Sequence, residues 1–443
     1  MLKTFEQLGA DPRFIEILKK RNITEPTDIQ KKVIPLLSEG QNVFFTSSTG
    51  TGKTFAYLLP YLQKISHGSQ TEGLKETRRN YLKLLIIAPT LELCTQINSE
   101  LEFLLEGTEI KNALLIGSVN IERQIETLKK TKPNVIVGNP NRLLILAQKK
   151  LINFGNLQYL VLDEADRLVS DEMTDDTSGL LELIKRASHR SAKKGEAAPE
   201  ISENAGDKAA LCFAACSATL NKKNADKLSA ALMGRSSSLK INFIDSQDNE
   251  ILRDKIEHWA IFSEKRRKEQ TLRSLLAAIS GAAPQKKQKK SKTKTKTLIF
   301  SSRGDEAAIM LARLQFHHIA AAGLFGKAGK KPLSAQERKQ ALDSFRNGSA
   351  SVLISTDLAA RGLDIENVTH VVSLDVPSDS EVYIHRCGRT GRAGKRGVMV
   401  TIGDETQMRL LAAMEKKLKI KIYPKELHYG QIFAPEDVIE EEE

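Results

Sequence analysis

Residues 43–54, VFFTSSTGTGKT, run from a short apolar stretch into small residues and end in Gly52-Lys53-Thr54. Small side chains let backbone N–H groups close on a polyphosphate, a lysine there reaches the β and γ phosphates, and a threonine hydroxyl can ligate Mg²⁺. The strict phosphate-loop pattern has glycine five places before Gly52, where this chain has Ser47. Taken alone, the segment could also be an ordinary Gly/Thr turn. A second pattern is Asp163-Glu164-Ala165-Asp166, which closes the apolar run YLVLD. Beside a phosphate loop, an acid at a strand end holds Mg²⁺ through water, and a neighbouring glutamate orients or deprotonates an attacking water. The plain alternative is a helix cap, since acids are favoured at that end of the dipole. A third pattern joins Arg361-Gly362-Leu363-Asp364 to His385-Arg386-Cys387-Gly388-Arg389-Thr390-Gly391-Arg392, where three arginines recur three apart among glycines. Such spacing suits a loop-to-helix segment aimed at an anion, and a basic surface turn is the alternative. Arginines from a second lobe can supply the positive charge that a phosphoryl transition state needs.

These groups need strands to position them. The runs LLIIAP (84–89), ALLIG (113–117), NVIVG (134–138), YLVLD (159–163) and LCFAACS (211–217) have the length and composition of buried parallel strands, with helical patterns between them. The spacing predicts a doubly wound sheet, which binds ligands at the carboxyl ends of its strands. Thr49 to Thr54, Pro89-Thr90, Asp163-Glu164 and Ser217-Ala218-Thr219 all fall there. Upstream, residues 11–38 look helical, and Pro26-Thr27-Asp28 is a helix-start signal. A second alternation follows in IEHWAIF (256–262), TLIFSS (297–302), ASVLIST (350–356), HVVSLDV (370–376) and GVMVTI (397–402). The fold class expected is α/β, with two doubly wound parallel-sheet lobes of similar rhythm. The boundaries are a first lobe at 1–245, a polar linker at 246–255 (SQDNEILRDK), a second lobe at 256–425 and an acidic tail at 426–443.

A chain of 443 residues exceeds one ordinary core and suggests two or three domains. No run of eighteen apolar residues occurs, so no membrane span is expected. Glu6, Asp11 and Glu16 near the start argue against a targeting peptide, and a cytoplasmic location is expected. The cysteines Cys94, Cys212, Cys216 and Cys387 are scattered, which favours buried reduced thiols over zinc. The net charge of +12 favours a polyanionic partner. Residues 285–296 hold seven lysines and no acid, a run that is either solvated or attached to phosphates. The stretch 171–210, rich in Ala, Lys and Glu around 188–208, is expected to be a mobile surface insertion.

In their order and positions these motifs resemble those of the DEAD-box RNA helicase family, from about Phe5 to Thr401. The resemblance implies RecA-like lobes. Glu25-Pro26-Thr27-Asp28-Ile29-Gln30 is similar to the family's adenine-reading motif, which implies that Gln30 bonds the base edge and Phe5 stacks on it. SSTGTGKT resembles its phosphate loop, so Thr49, Gly50, Thr51, Gly52, Lys53 and Thr54 are implied in nucleotide binding. Asp163-Glu164-Ala165-Asp166 resembles its Mg²⁺ and general-base motif, with Asp163 and Thr54 towards the metal and Glu164 as base. Ser217-Ala218-Thr219 resembles its coupling motif, to which Asp166 and His385 are added. The segments 360–364 and 385–392 imply that Asp364 meets the ribose and that Arg389 and Arg392 are arginine fingers. RNA contacts are implied at Pro89, Thr90, Gly117, Pro140, Arg142, Arg303, Arg338 and Thr356.

The departures from the family pattern lie on the RNA side. Leu91 stands where the family has arginine, Ser118 follows Gly117 where glycines are paired, and Asn139 and Asn141 interrupt the Thr-Pro-Gly-Arg pattern. Ala335 occupies a glutamine position. Asn139 and Asn141 can still donate to phosphates.

The function expected is an ATP-dependent RNA helicase that opens short duplexes or remodels ribonucleoprotein, with ATP and Mg²⁺ as cofactors. RNA would bind without strong sequence preference to a protein expected to be monomeric, with ribonucleoprotein partners. Closure of two lobes on ATP and RNA would make hydrolysis RNA-dependent. A non-catalytic RNA clamp and a DNA-acting or switch ATPase are the rival classes; Lys53, Glu164, Arg389 and Arg392 count against the clamp.

Overall fold

The computed structural model describes residues 4–46, 51–69, 81–170, 173–193, 211–217, 241–245, 255–281, 295–325, 327–328, 331–360, 365, 367–391, 395–428 and 430–435. The chain divides into two units, Met1–Gln247 and Asp248–Glu443. Among the described residues, no helix is long and apolar enough to cross a membrane.

In the first unit the chain runs through α1 (Pro12–Lys19), α2 (Asp28–Ser38), β1 (Asn42–Thr46), α3 (Lys53–Ser69), β2 (Leu84–Ile87), α4 (Leu91–Leu104), β3 (Asn112–Leu115) and α5 (Ile121–Thr131). It continues through β4 (Val135–Gly138), α6 (Pro140–Gln148), β5 (Tyr159–Asp163), α7 (Ala165–Leu168), α8 (Thr174–Lys193), β6 (Cys212–Ser217) and β7 (Ile241–Asp245). The seven strands are all parallel, in the order β3-β4-β2-β5-β6-β1-β7. Side chains alternate between two cores: Val43 and Phe45 face one, Phe44 the other. Burial on both faces accounts for the unbroken apolar runs in the sequence.

The helical stretch expected at 11–38 is two helices. Pro12 opens α1 under an Asp11 cap, and α2 starts at Asp28 because the Thr27 side chain caps it. The insertion expected at 171–210 is ordered in its first part. Helix α8 turns Leu180, Leu181 and Ile184 into the second core, a spacing that gives it an apolar stripe, whereas residues 194–210 lie outside the described residues.

The second unit begins with β8 (Ile256–Phe262), α9 (Lys268–Ser280), β9 (Thr297–Phe300), α10 (Gly304–Phe316), β10 (Ala321–Leu324), β11 (Lys327–Ala328), β12 (Lys331–Pro332) and α11 (Ala335–Arg346). It ends with β13 (Val352–Ser355), α12 (Asp357–Ala360), β14 (His370–Ser373), α13 (Ser380–Cys387), β15 (Gly397–Gly403), α14 (Glu405–Leu418), β16 (Ile422–Pro424), β17 (Glu426–His428) and β18 (Gln431–Phe433). Its large sheet is again parallel, in the order β10-β13-β9-β14-β15-β8-β16. Numbered from its own first sheet strand, that order is the same as in the first unit, so the two lobes share one topology. The acidic tail expected from residue 426 begins instead as an antiparallel hairpin, β17 with β18, whose Leu427 and Ile432 pack on a core of this unit. The linker at 246–254 and the lysines at 285–294 lie outside the described residues.

Candidate functional site

Strand order brings the chemical residues of the first unit together. Strands β5, β6 and β1 are neighbours, with Asp163 in register with Cys216 and Ser217 in register with Thr46. Their carboxyl ends therefore form one edge, where open α/β sheets bind ligands. Asp163 is 3% exposed and accepts three hydrogen bonds from the described residues. The Glu164 N–H (2.9 Å) and the Cys216 thiol (3.0 Å) donate to Oδ1, and the Tyr57 hydroxyl (2.9 Å) donates to Oδ2. Burial first, then the Asp163 charge, pushes the Tyr57 phenol and the Cys216 thiol well above their ordinary values, so both carry their protons. Glu164 adopts a left-handed backbone, φ 48 and ψ 53, at the head of the short helix α7. A non-glycine residue held there stores strain that recurs at functional positions. The Arg167 guanidinium lies 3.9 Å from its carboxylate. Asp166 Oδ1 is shielded and has no hydrogen-bond partner among the described residues.

Helix α3 opens at Lys53 directly after Gly52, which has φ +86. Thr51 to Thr54 are described, and Ser47, Thr49 and Gly50 lie outside the described residues. Gln30 is 1% exposed and joins the cap of α2 to this loop: Oε1 accepts from Thr27 N–H at 2.9 Å, and Nε2 donates to the Gly52 carbonyl at 3.0 Å. The Phe5 ring is 1% exposed, packed in the first core rather than displayed.

Hard cations take oxygen ligands, and a Mg²⁺ ion held with a nucleotide draws on few protein groups plus phosphates and waters. The Thr54 hydroxyl and the Asp163 carboxylate are donors of that type on adjoining elements. Among the described residues, no group of three or more His, Cys, Asp or Glu side chains could hold a metal alone. The donor set present therefore fits a nucleotide-bound Mg²⁺. The cysteines are buried or partly buried thiols, with Cys94 and Cys212 donating to the carbonyls of Ala88 and Gly40.

At the positions implied in RNA contact, Pro89 and Thr90 lead into α4, with Thr90 Oγ1 accepting from Leu93 N–H at 3.2 Å. Leu91, one residue later, packs against the first core. Pro140 opens α6, and the Asn139 Oδ1 before it has no hydrogen-bond partner among the described residues. Asn141 donates to Asp176 at 3.1 Å. Arg142 is half-buried in α6. Its guanidinium donates to the carbonyls of Gly117 (2.9 Å) and Val119 (3.1 Å) and to Gln124 (3.1 Å), so it braces the turn that carries Gly117.

In the second unit Arg386 is fully buried and is the centre of a cluster. It grips Asp357 with two bonds of 2.6 Å, reaches Asp375 Oδ1 at 2.9 Å and Ser302 at 3.0 Å, and also bonds Ser373. These partners follow or end β13, β14 and β9, so one guanidinium ties three strand ends together. Burial opposes its charge, but the bond to Asp357 and the charges of Asp357 and Asp375 hold its pKa above the usual value. Arg386, the first of the three spaced arginines, is thus a strut. Arg389 is 3% exposed, two residues beyond the end of α13, and His385 is half-buried within that helix. Thr356 is buried after β13, Arg303 is exposed and ion-paired with Glu306 at 3.5 Å, and Arg338 lies half-buried in α11. Arg361, Asp364, Arg392 and, in the first unit, Thr219 lie outside the described residues.

Sequence reasoning missed Tyr57 and Cys216 as partners of Asp163. The signal was a hydroxyl within the largely apolar first turns of α3, three residues after Thr54 and four after Lys53.

The model of the DEAD/DEAH box helicase domain matches residues 27–228, and that of the helicase conserved C-terminal domain matches residues 267–394. The DEAD-box ATP-dependent RNA helicase CshC of Bacillus cereus is 33% identical over 412 residues, covering 93% of this chain and 90% of the relative. The DEAD-box ATP-dependent RNA helicase CshA of Bacillus subtilis is 31% identical over 422 residues, 95% of this chain and 74% of the relative. Among solved structures, the DEAD-box helicase Mss116 bound to ssRNA and UDP-BeF superposes with a TM-score of 0.77 at 25% identity, covering 96% of this chain and 80% of that one. Dbp5 of S. cerevisiae, bound to RNA and ADP BeF3, shares the fold with a TM-score of 0.74 at 24% identity, covering 95% of each chain.

Proposed function

The chain belongs to the DEAD-box helicase family, and from that membership we propose that it is an ATP-dependent RNA helicase coupling hydrolysis to local duplex opening or ribonucleoprotein remodelling. The observation that carries this reading is the alignment of 93% of the chain with an ATP-dependent RNA helicase, together with a buried Asp163 set against the helix that opens with Lys53.

In this account Lys53 and the N–H groups at the start of α3 bind the polyphosphate, and Gln30 reads the adenine edge. Thr54 and Asp163 hold Mg²⁺, which when bound neutralises charge on the phosphates. Glu164 takes the proton of the attacking water, with Arg167 restraining it. Arg389 and Arg392 supply positive charge to the transition state, and Asp364 meets the ribose. Asp166, Ser217, Thr219 and His385 serve the coupling of RNA binding to hydrolysis.

RNA phosphates meet the amino ends of α4 and α6, at Thr90 and Pro140, where the helix dipole favours anions. Gly117 adds backbone, and Arg303, Arg338 and Thr356 act from the second unit. Contacts of this kind carry little sequence information. The protein works as a cytoplasmic monomer in this reading.

Displacement of one strand from a short RNA duplex tests it. ATP with Mg²⁺ should release the strand, the non-hydrolysable AMP-PNP should support at most one round, and a DNA duplex should stay paired. No displacement in any condition, or equal displacement of DNA, would contradict the reading.

A further inference from the structure

We propose that Tyr57 is a positioning residue for Asp163: its hydroxyl holds one lone pair of Oδ2, which among the described residues leaves the carboxylate a single open acceptor site, and fixes where that site points. The inference rests on the proposed role of Asp163 in holding Mg²⁺ during ATP hydrolysis, and it goes beyond that role by naming what orients the carboxylate.

An ionised carboxylate offers about four lone-pair sites. Oδ1 uses both of its own, on the Glu164 N–H at 2.9 Å and the Cys216 thiol at 3.0 Å. Oδ2 uses one, on the Tyr57 hydroxyl at 2.9 Å. One remains. A carboxylate with a single open site meets a metal or its water through one oxygen, and the direction of approach is set by whichever donor holds the other lone pair. That donor is Tyr57.

The phenol is suited to this. Its side chain is 0% exposed, so no solvent competes for the bond, and it sits on α3 one turn beyond Lys53 and Thr54. An ionised carboxylate can only accept, so in this 2.9 Å bond the phenol is the donor. The ring is embedded in the first core among Phe45, Ala56 and Leu58, where a phenylalanine would pack equally well. Packing therefore explains the ring, while the hydroxyl is explained by its bond to Asp163.

Tyr57→Phe tests the proposal, because it removes the hydroxyl and keeps the ring. Two readouts are taken on the full chain: the Mg²⁺ concentration giving half-maximal RNA-stimulated ATPase, and the affinity for a fluorescent ATP analogue with and without Mg²⁺. Partners behind metal ligands typically change metal affinity by 10–100-fold, so the half-maximal Mg²⁺ should rise about ten-fold. The tightening of nucleotide binding by Mg²⁺ should shrink, with metal-free nucleotide affinity and RNA affinity unchanged. Cys216→Ala, which frees a site only on the far oxygen, should shift the Mg²⁺ response less than Tyr57→Phe does. Superimposable Mg²⁺ titrations of Tyr57→Phe and wild type would overturn the proposal. So would a variant whose metal-free nucleotide binding and melting temperature fall together, since that marks a packing role. Asp163→Asn separates the two levels. If it loses the Mg²⁺ response while Tyr57→Phe does not, this inference falls and the Asp163 assignment stands; if it keeps the response, both fall.

Discussion

The Gln30 side-chain amide donates to the Gly52 carbonyl at 3.0 Å while accepting from Thr27 N–H at 2.9 Å, so one side chain joins a helix cap to the phosphate loop. Gly52 has φ +86 and faces that amide closely, which excludes a side chain there. An amide has two N–H donors and two oxygen lone pairs, and these bonds use one of each. The remaining donor and acceptor match the acceptor and donor on the adenine edge.

Gln30→Ala should therefore weaken ATP binding and narrow the preference for ATP over GTP, with a lost specific pair worth roughly 1–3 kcal/mol. Competition of ATP and GTP for the site measures it. Equal use of both nucleotides by the wild-type protein would contradict the adenine assignment.

Lys53→Ala and Glu164→Gln should each abolish turnover, the first by removing the phosphate charge and the second by removing the base. Glu164→Gln should still bind ATP and RNA together, as seen by fluorescence anisotropy of labelled RNA. Near wild-type hydrolysis by either variant would show the residue to be misassigned.

Arg386→Gln should destabilise the second unit, because Asp357 and Asp375 would lose their buried partner. Breaking a buried pair on one side costs about 3–5 kcal/mol. Urea unfolding of the full chain should show the loss, and Arg386→Lys should recover only part of it, since an ammonium cannot grip Asp357 with two bonds. Unfolding curves that coincide with wild type would mean the cluster contributes no stability.

Leu91 is half-buried, packed against the first core. Leu91→Arg should thus lower the melting temperature, by about 1–3 kcal/mol of stability, without lowering the RNA concentration needed for half-maximal ATPase. A several-fold tighter RNA response at unchanged stability would show instead that the site is open to RNA.

Burial pushes the His370 imidazole down from the ordinary histidine value to about 4. Its folded value is depressed, so the unfolded chain binds the extra proton between about pH 6.5 and 4. Stability from the neutral ring is complete above that window and is lost as pH falls through it, by up to about 3 kcal/mol. His370→Phe should flatten the pH dependence of urea unfolding over this range. An unchanged slope would place the titration elsewhere.

The expected strands were legible because a sheet covered on both faces writes continuous apolar runs, and Asp163 was legible because it ends one of them. Strands β7, β10 and β16 were not expected. β10 is built of Ala, Ala, Gly and Leu, and β7 leaves Phe243 half exposed, so neither shows a clean apolar run. Roles set by tertiary contact were also hidden. Spacing alone cannot distinguish Arg386, turned inward on two aspartates, from Arg389, and it cannot show Arg142 bracing a turn. Tyr57 and Asp163 lie 106 positions apart, so only the fold reveals their bond.

The most direct measurement is the rate of ATP hydrolysis with no nucleic acid, with single-stranded RNA and with DNA of the same sequence, using Glu164→Gln as the blank. RNA should raise the rate at least ten-fold, DNA should not, and the blank should stay flat. A wild-type rate independent of RNA, or raised equally by DNA, would contradict an RNA-dependent ATPase.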